Sequence, residues 1–160
     1  MFNLFKKKKN LTIVSPIEGK IIQLEEVPDQ VFSTKMMGDG IAIDTTGNQL
    51  FAPCSATVSL VSPTKHAIGL TLENGTEILM HVGLDTVTLK GEGFEVLVSS
   101  GDKVTVGTPL LNINRDIFIQ KGISLITPIV VCNSADHPIS NKSLNKTAIA
   151  KETPLFEINI

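Results

Sequence analysis

The chain contains no tryptophan and no tyrosine, and phenylalanine alone brings the aromatic fraction to 4%. A core within these 160 residues must therefore be built mainly from isoleucine, valine and leucine. Proteins that bind single-stranded nucleic acid stack bases on exposed aromatic rings, and this composition argues against that class. The net charge is −2, and four of the positive charges are the lysines at positions 6–9, so the rest of the chain is mildly acidic. We expect no nucleic-acid partner, because no basic footprint is present.

Cysteines and long apolar runs are also scarce. Cys54 and Cys132 lie far apart, and without a secretory segment they are interpreted as free thiols in a reducing cytoplasm. No run approaches the roughly 20 apolar residues of a membrane span. The first nine residues combine three large apolar side chains with four lysines, which allows at most a weak peripheral contact with an anionic membrane. We predict a flexible basic tail over residues 1–10 and a single domain over residues 11–160.

Short β-branched runs separated by turn residues fill the chain from Leu11 onward, which is typical of a sandwich or a barrel. Asn74-Gly75 is a strong hairpin signal and predicts that the runs on either side pair in antiparallel fashion. The predicted strands are 11–14, 19–24, 40–44, 57–61, 68–72, 77–82, 95–98, 110–113, 129–132, 148–150 and 155–160.

Two pairs of segments resemble each other within the chain. Residues 15–21 are similar to residues 52–58, and residues 106–113 are similar to residues 150–158. The best helix candidate, residues 114–122, is short. We predict an all-β fold, an antiparallel β-sandwich or barrel-like domain with duplicated hairpin units and at most short helical turns.

The histidines are the most informative side chains. His81 lies in an apolar strand-like run, and His66 lies near the same end of the predicted hairpin, within reach on a diagonal. Strand alternation places Leu79, His81 and Gly83 on one face, and Gly83 is expected to leave room beside His81 for a ligand. His137, in a turn-rich stretch, is interpreted as structural.

Two neutral imidazoles at close range can bind a metal, perform acid–base chemistry, or carry a group on one ring while the other donates a hydrogen bond. A zinc hydrolase is one alternative, although a catalytic zinc usually needs three protein ligands. A biotin or lipoyl carrier is another, because those small β-sandwiches display a lysine in a tight hairpin. Lys35 precedes Met36-Met37, but Thr34 before it makes that match poor.

Residues 81–94, His-Val-Gly-Leu-Asp-Thr-Val-Thr-Leu-Lys-Gly-Glu-Gly-Phe, resemble the active-site signature of the glucose-class enzyme IIA proteins. These are phosphocarriers of the bacterial phosphoenolpyruvate-dependent sugar phosphotransferase system. Residues 27–29 with 38–43, 51–53 and 64–67 are similar to the same family, and the resemblance extends from about Leu11 to the C-terminus. It implies an antiparallel β-sandwich with two histidines in a shallow depression.

The resemblance also implies a reaction. His81 would accept a phosphoryl group from the histidine phosphocarrier HPr and pass it to a cysteine on the IIB domain of a sugar permease. His66 would assist, and Thr64 would hold the His66 ring through its hydroxyl. We expect a free-standing cytoplasmic phosphotransferase that serves sugar uptake, with room for a regulatory role. No cofactor is required, and a zinc ion bound by His66, His81 and a partner is an optional ligand.

The remaining candidates concern the partners. As the resemblance implies, Asp29 and Asp85 would line the rim of the docking face and meet basic residues of HPr. For both, turn and cap chemistry is the alternative, and it fits Pro28-Asp29 well. Phe32 and Leu79 are apolar contacts around the depression or core residues, and Gly83 gives room for the partner's phosphohistidine. A backbone carbonyl near Gly83 is expected to hold the tautomer of His81. The choice of sugar belongs to the permease.

Overall fold

The computed structural model describes residues 10–159. Within this range the chain forms fourteen β-strands and two short α-helices, α1 (Gln30–Ser33) and α2 (Arg115–Gln120). The strands are β1 (Leu11–Val14), β2 (Gly19–Gln23), β3 (Asp39–Thr45), β4 (Gln49–Phe51), β5 (Ala56–Val61), β6 (Ala67–Thr71), β7 (Glu77–His81), β8 (Phe94–Val96), β9 (Lys103–Val104), β10 (Pro109–Ile113), β11 (Ile126–Val131), β12 (Ile139–Ser140), β13 (Thr147–Ala148) and β14 (Pro154–Ile158).

The strands form one large and two small antiparallel sheets. The large sheet has the order β13-β2-β3-β11-β7-β6-β5-β9, and the small sheets have the orders β1-β14-β12 and β4-β10-β8. The Asn74-Gly75 turn joins β6 to β7 as predicted, with Ile68 opposite Met80 and Ala67 opposite His81. The expected antiparallel β-sandwich with short helical turns is confirmed. No helix within residues 10–159 is long and apolar enough to cross a membrane.

The predicted duplication is visible in the topology. The similar segments 106–113 and 150–158 end in β10 and β14, and each of these is the central strand of its small sheet. The segments 15–21 and 52–58 make matching bonds to them: the Ser15 amide donates to the Thr153 carbonyl, and the Ala52 amide donates to the Thr108 carbonyl. Two similar sequences therefore build two similar small sheets against one large sheet.

Alternation along the central strands divides the apolar residues between two faces of the large sheet. In β7, Ile78 and Met80 enter the main core, whereas Leu79 joins a second cluster. In β11, Val130 likewise joins that second cluster. We call this the outer cluster; its buried members are Leu24, Val27, Phe32, Ala42, Ala67, Leu79, Leu84 and Val130. His81 follows the alternation of Leu79, so it lies on the outer face.

The segment 24–33 covers this outer face. It consists of a 3-10 turn over Leu24–Glu26 followed by α1, whose first turn is capped by Asp29. The Val31 amide donates to the Asp29 carboxylate over 3.0 Å. Phe32 is only 3% exposed, and burial of such a side chain stabilises the fold by about 1.5–3 kcal/mol. The cap and the buried ring together hold the segment beside His81.

Eleven strands lie where the sequence predicts them, with ends shifted by up to three residues. The predicted helix 114–122 is α2, shorter at both ends. The sequence interpretation misses β4, β9, β12 and α1, because runs of two to four residues have no measurable periodicity. Cys54 is buried and Cys132 exposed, and both are free thiols, as predicted. The predicted basic tail lies almost wholly outside the described residues.

Candidate functional site

The two histidine rings lie against each other at the end of the β6–β7 hairpin. His81 is the last residue of β7, and His66 immediately precedes β6. Their ring centroids are 4.6 Å apart and their planes meet at 76°. The predicted proximity of the two side chains is confirmed.

Side chains alternate between the two faces of the sheet, as that prediction assumes, only as far as the end of β7. The Val82 amide donates to the His66 carbonyl, so these two residues are opposite each other. Val82 enters the main core, yet the His66 ring lies with His81 on the outer face. Leu84, which strict alternation would place on the other face from Leu79, belongs to the same outer cluster as Leu79. Regular alternation ends at His81, because the chain turns at Gly83.

A backbone carbonyl fixes the His81 ring, as expected. The Nδ1 of His81 lies 2.8 Å from the carbonyl oxygen of Gly83. A carbonyl oxygen can only accept, so Nδ1 carries the proton in the neutral ring and Nε2 carries the lone pair. The nitrogen able to act as a nucleophile is therefore Nε2.

Gly83 does not leave open space, and the expectation of room beside His81 is wrong. Its φ is +81°, and a Cβ built on it would lie 2.4 Å from Cγ2 of Thr86 and 2.9 Å from the carbonyl oxygen of Ser124. The Thr86 hydroxyl, in turn, donates to the Val82 carbonyl. Glycine is needed because the turn is left-handed and tightly packed, and this turn aims the Gly83 carbonyl at His81.

Thr64 holds the second ring, as the resemblance implies. Its hydroxyl oxygen lies 2.6 Å from Nδ1 of His66, and the Ser62 hydroxyl lies 3.4 Å from the same nitrogen. When the Thr64 hydroxyl donates, His66 carries its proton on Nε2. That tautomer presents an N–H donor on the side of the ring away from Thr64. Sequence reasoning missed Ser62, whose only signal is its place two residues before Thr64.

An open depression of about 270 Å³ surrounds the exposed side of His81. The Phe32 ring packs against His81 with 5.0 Å between centroids. The depression therefore brings together four of the partner candidates. Two of them, Phe32 and Leu79, are nearly buried and belong to the outer cluster. Its lining residues are Asp29, Val31, Phe32, Met37, Leu79, His81, Asp85 and Val87.

Exposed apolar side chains and two carboxylates form the wall of this depression. Val31, Met37 and Val87 are 40%, 38% and 51% exposed, and sequence reasoning missed all three as lining residues. The exposed Met36-Met37 pair was the available signal. The carboxylate of Asp29 caps α1 and also lines the depression. Asp85 is exposed, and its carboxylate makes no cap hydrogen bond.

Both histidines favour the neutral state. Burial lowers the pKa of His81, an effect partly opposed by the Gly83 hydrogen bond and by the charges of Asp29 and Asp85. Burial and the neighbouring His81 lower the pKa of His66. A neutral ring keeps its lone pair, so the environment favours a nucleophilic imidazole near pH 7.

The geometry disfavours both alternatives raised by the sequence. Within residues 10–159, no three histidine, cysteine or acidic side chains form a metal site. His137 lies beside Gly75, at the opposite end of the hairpin from His81. Lys35 is not at the tip of a hairpin: it follows α1 and pairs with Asp39 over 3.5 Å. The described residues therefore provide neither the three ligands of a hydrolytic zinc centre nor a hairpin lysine of the kind that carries biotin or lipoate.

Two imidazoles packed together, with the Nε2 lone pair of His81 unengaged and an open depression beside that ring, define a class: proteins that carry a group on histidine. Residues 11–137 match the family described as the phosphoenolpyruvate-dependent sugar phosphotransferase system, EIIA 1. The chain belongs to this family and is a phosphotransferase component of sugar transport.

Relatives support the assignment. The chain is 44% identical over 154 residues to the PTS system glucose-specific EIIA component of Staphylococcus aureus strain N315, covering 96% of this chain and 92% of that protein. It is 42% identical over 153 residues to the component of the same name in Staphylococcus epidermidis, covering 95% and 92%. Among solved structures, glucose permease IIA from Mycoplasma capricolum matches with a TM-score of 0.86 and 36% identity, covering 93% of this chain and 96% of that one.

Proposed function

We propose that His81 accepts a phosphoryl group from phospho-HPr on Nε2 and passes it to the IIB domain of a sugar permease. The observation that carries this assignment is the 2.8 Å hydrogen bond from Nδ1 of His81 to the Gly83 carbonyl. It leaves Nε2 as the nitrogen with the lone pair. The proposed location of the protein is the cytoplasm, where it would contact HPr and the IIB domain.

The transfer needs little covalent assistance from the protein beyond placement and electrostatic stabilisation. The Nε2 lone pair of His81 forms a bond to phosphorus as the N–P bond of phospho-HPr breaks, and that electron pair returns to the HPr ring. The proton on Nδ1 stays on His81, so the phosphorylated ring gains positive charge. The Gly83 carbonyl and the carboxylates of Asp29 and Asp85 stabilise this charge. In the second step a cysteine thiolate of IIB bonds to phosphorus and the electron pair returns to Nε2.

His66 and Thr64 support the phosphorylated state. With Thr64 donating to its Nδ1, His66 can donate from Nε2 to a phosphoryl oxygen beside His81. A single neutral donor stabilises the transferring group without holding it tightly. This balance suits a carrier, since the group must leave for the next protein.

The depression is the proposed docking surface for both partners. Phe32 and Leu79 form an apolar floor, and Asp29 and Asp85 stand at its rim to meet basic side chains of HPr. Gly83 contributes to this surface indirectly, because its turn places the carbonyl that orients the His81 ring. The exposed Val31, Met37 and Val87 extend the apolar surface. Charged rims increase the rate of association while the apolar centre holds the complex.

A zinc ion shared with a partner is a second proposal for the same pair. Nδ1 of each ring is engaged, by Thr64 in His66 and by the Gly83 carbonyl in His81. Nε2 of His81 is free for a metal, and Nε2 of His66 would become free if its proton moved to Nδ1 and the Thr64 hydroxyl accepted from it. The remaining ligands would come from the partner. Equilibrium dialysis with zinc, with and without phosphorylation of His81, tests this idea, because a phosphorylated Nε2 has no lone pair for the metal.

The relatives named above carry glucose in their names, and we propose that this chain serves a permease of the glucose class. Transfer of label to purified IIB domains of glucose, N-acetylglucosamine and β-glucoside permeases tests the choice.

A regulatory role and membrane contact through residues 1–9 stay predictions. Deleting residues 1–9 should weaken binding to anionic vesicles and leave transfer from HPr unchanged.

The decisive experiment is labelling with phosphoenolpyruvate, enzyme I and HPr. The wild-type chain should gain an acid-labile phosphate, and the His81→Gln variant should gain none. His66→Gln should still accept the group but pass it to IIB slowly. Normal labelling of His81→Gln contradicts the proposal, and His137→Gln is the matched control because that histidine lies away from the depression.

A further inference from the structure

Lys65, immediately before His66, has a left-handed backbone with φ at +64°. L-residues with a Cβ rarely adopt this region, whereas glycine and asparagine tolerate it. Lys65 closes a tight turn in which its amide donates to the Ser62 carbonyl over 2.9 Å. The Ser62 amide then donates to the Ala67 carbonyl over 3.0 Å, and β6 begins. The unusual backbone angle therefore falls between the turn and the strand.

This conformation bears directly on the placement of the His66 ring. The 2.7 Å bond from the Val82 amide to the His66 carbonyl pairs these residues across the hairpin. A regular strand would direct the side chains of both to the same face, which for Val82 is the main core. The His66 ring instead lies 4.6 Å from the ring of His81, on the other face. The chain must therefore leave the regular strand conformation just before His66.

The Lys65 side chain adds a second constraint. A Cβ built on Gly91 would lie 3.2 Å from Cδ of Lys65, so the methylene stem of the lysine lies over the Gly91 backbone. Gly91 belongs to the segment that follows the 3-10 turn Thr86–Leu89, and Asp85 precedes that turn. The stem thus joins the hairpin that carries His66 to the segment that starts at Asp85.

We propose that Lys65 is a positioning residue whose left-handed backbone turns the His66 ring out of the strand alternation and onto His81. Its stem packs over Gly91 and adds stability, but the backbone conformation is what places the ring. This inference rests on the proposed function only for its consequence in transfer, since the placement of the ring is independent of phosphorylation.

The test compares residues that tolerate the left-handed region with one that does not. Lys65→Asn and Lys65→Gly should preserve the placement, and Lys65→Val, whose branched Cβ opposes this conformation, should disrupt it. NMR titration of the imidazoles reads the placement directly. In Lys65→Val, the pKa of His66 should rise towards its ordinary value of 6.5, because the ring loses its burial beside His81. Transfer from His81 to IIB should fall by about tenfold or more, as small misplacements of assisting groups cost this much.

Asn145→Val is the matched control. Asn145 is also left-handed, with φ at +60°, and lies on an exposed loop. It should lose similar stability without any change in the titration of His66 or in transfer. Should Lys65→Val fail to fold, Lys65→Thr, which is also branched at Cβ, replaces it in the same comparison. Equal His66 titration and equal transfer in the valine or threonine variant and in Lys65→Asn overturn the inference. Failure of the wild-type chain to accept phosphate refutes the proposed function instead and leaves the titration result standing.

Discussion

The Nδ1 of His81 donates a 2.8 Å hydrogen bond to the carbonyl oxygen of Gly83, two residues further along the chain. This short-range contact assigns the tautomer, restrains the ring and leaves the lone pair on Nε2. It exists because β7 ends at His81 and the chain turns at once. The same turn is supported by buried Thr86, whose hydroxyl donates to the Val82 carbonyl.

The first prediction concerns Gly83 itself. In Gly83→Ala the new Cβ meets Thr86 and the Ser124 carbonyl, so the turn must shift and the Gly83 carbonyl moves away from His81. We expect slower phosphorylation and a free energy of unfolding lowered by about 1–3 kcal/mol more than in Gly101→Ala. Gly101 has a comparable φ of +98° with nothing within 4 Å of the built Cβ, so it isolates the cost of the clash. Urea denaturation measures the difference, and equal losses in the two variants contradict the prediction.

The second prediction concerns the hydroxyl of Thr64. Thr64→Val keeps the shape of the side chain but removes the 2.6 Å partner of His66. The ring should lose its preferred tautomer, and transfer to IIB should slow about tenfold. Loss of the hydrogen bond should also cost about 1 kcal/mol of stability. Rapid-quench measurement of the transfer rate provides the check. Thr64→Ser should restore most of it, and a serine variant as slow as the valine variant would show that the hydroxyl is not responsible.

The third prediction separates the two uses of Asp29. Asparagine caps helices as well as aspartate does, so Asp29→Asn should leave stability nearly unchanged while removing the charge from the rim. The apparent KM for phospho-HPr should rise and depend less on salt. Asp29→Ala should show the same kinetic change and lose about 1 kcal/mol of stability as well.

Asp85→Asn is the matched comparison, because the Asp85 carboxylate caps nothing. It should raise KM without any loss of stability. If Asp29→Asn binds phospho-HPr as the wild type does, Asp29 acts only as a cap.

The fourth prediction concerns pH. The pKa values of His66 and His81 are lowered by burial in the folded protein, so the unfolded chain binds protons first as the pH falls. The stabilisation by the neutral pair is fully present above about pH 6.5 and decreases as the pH falls from there towards the folded pKa values. The free energy of unfolding should therefore fall between pH 7.5 and 5.5. Urea titrations at each pH measure it.

The matched control is the double variant His66→Gln, His81→Gln, whose stability should fall less over the same range. The pKa of Asp39 is lowered from its ordinary value of 3.8 by Lys142 and Lys35, against the effect of burial, so its contribution is lost only at lower pH. A slope in the double variant as steep as in the wild type would show that other groups are responsible.

Local pattern predicts the strands well here, because the central strands carry long β-branched runs and the Asn74-Gly75 turn has few alternatives. It also places His66 and His81 at one end of a hairpin. The Lys65 turn, by contrast, has no sequence signal: lysine is not a residue that marks a left-handed position. The alternation of side chains along a strand therefore could not predict the face on which the His66 ring lies.

The sequence by itself determined the β class, the hairpin, the two histidines and the signature at 81–94, since each depends on residues close together along the chain. Only the tertiary structure decided that Gly83 is filled by Thr86 rather than open, and that Phe32 packs on His81. It also decided that the segment 24–33 forms one wall of the depression. The reason is physical: these contacts join residues far apart in the chain, and their existence depends on how the outer cluster packs.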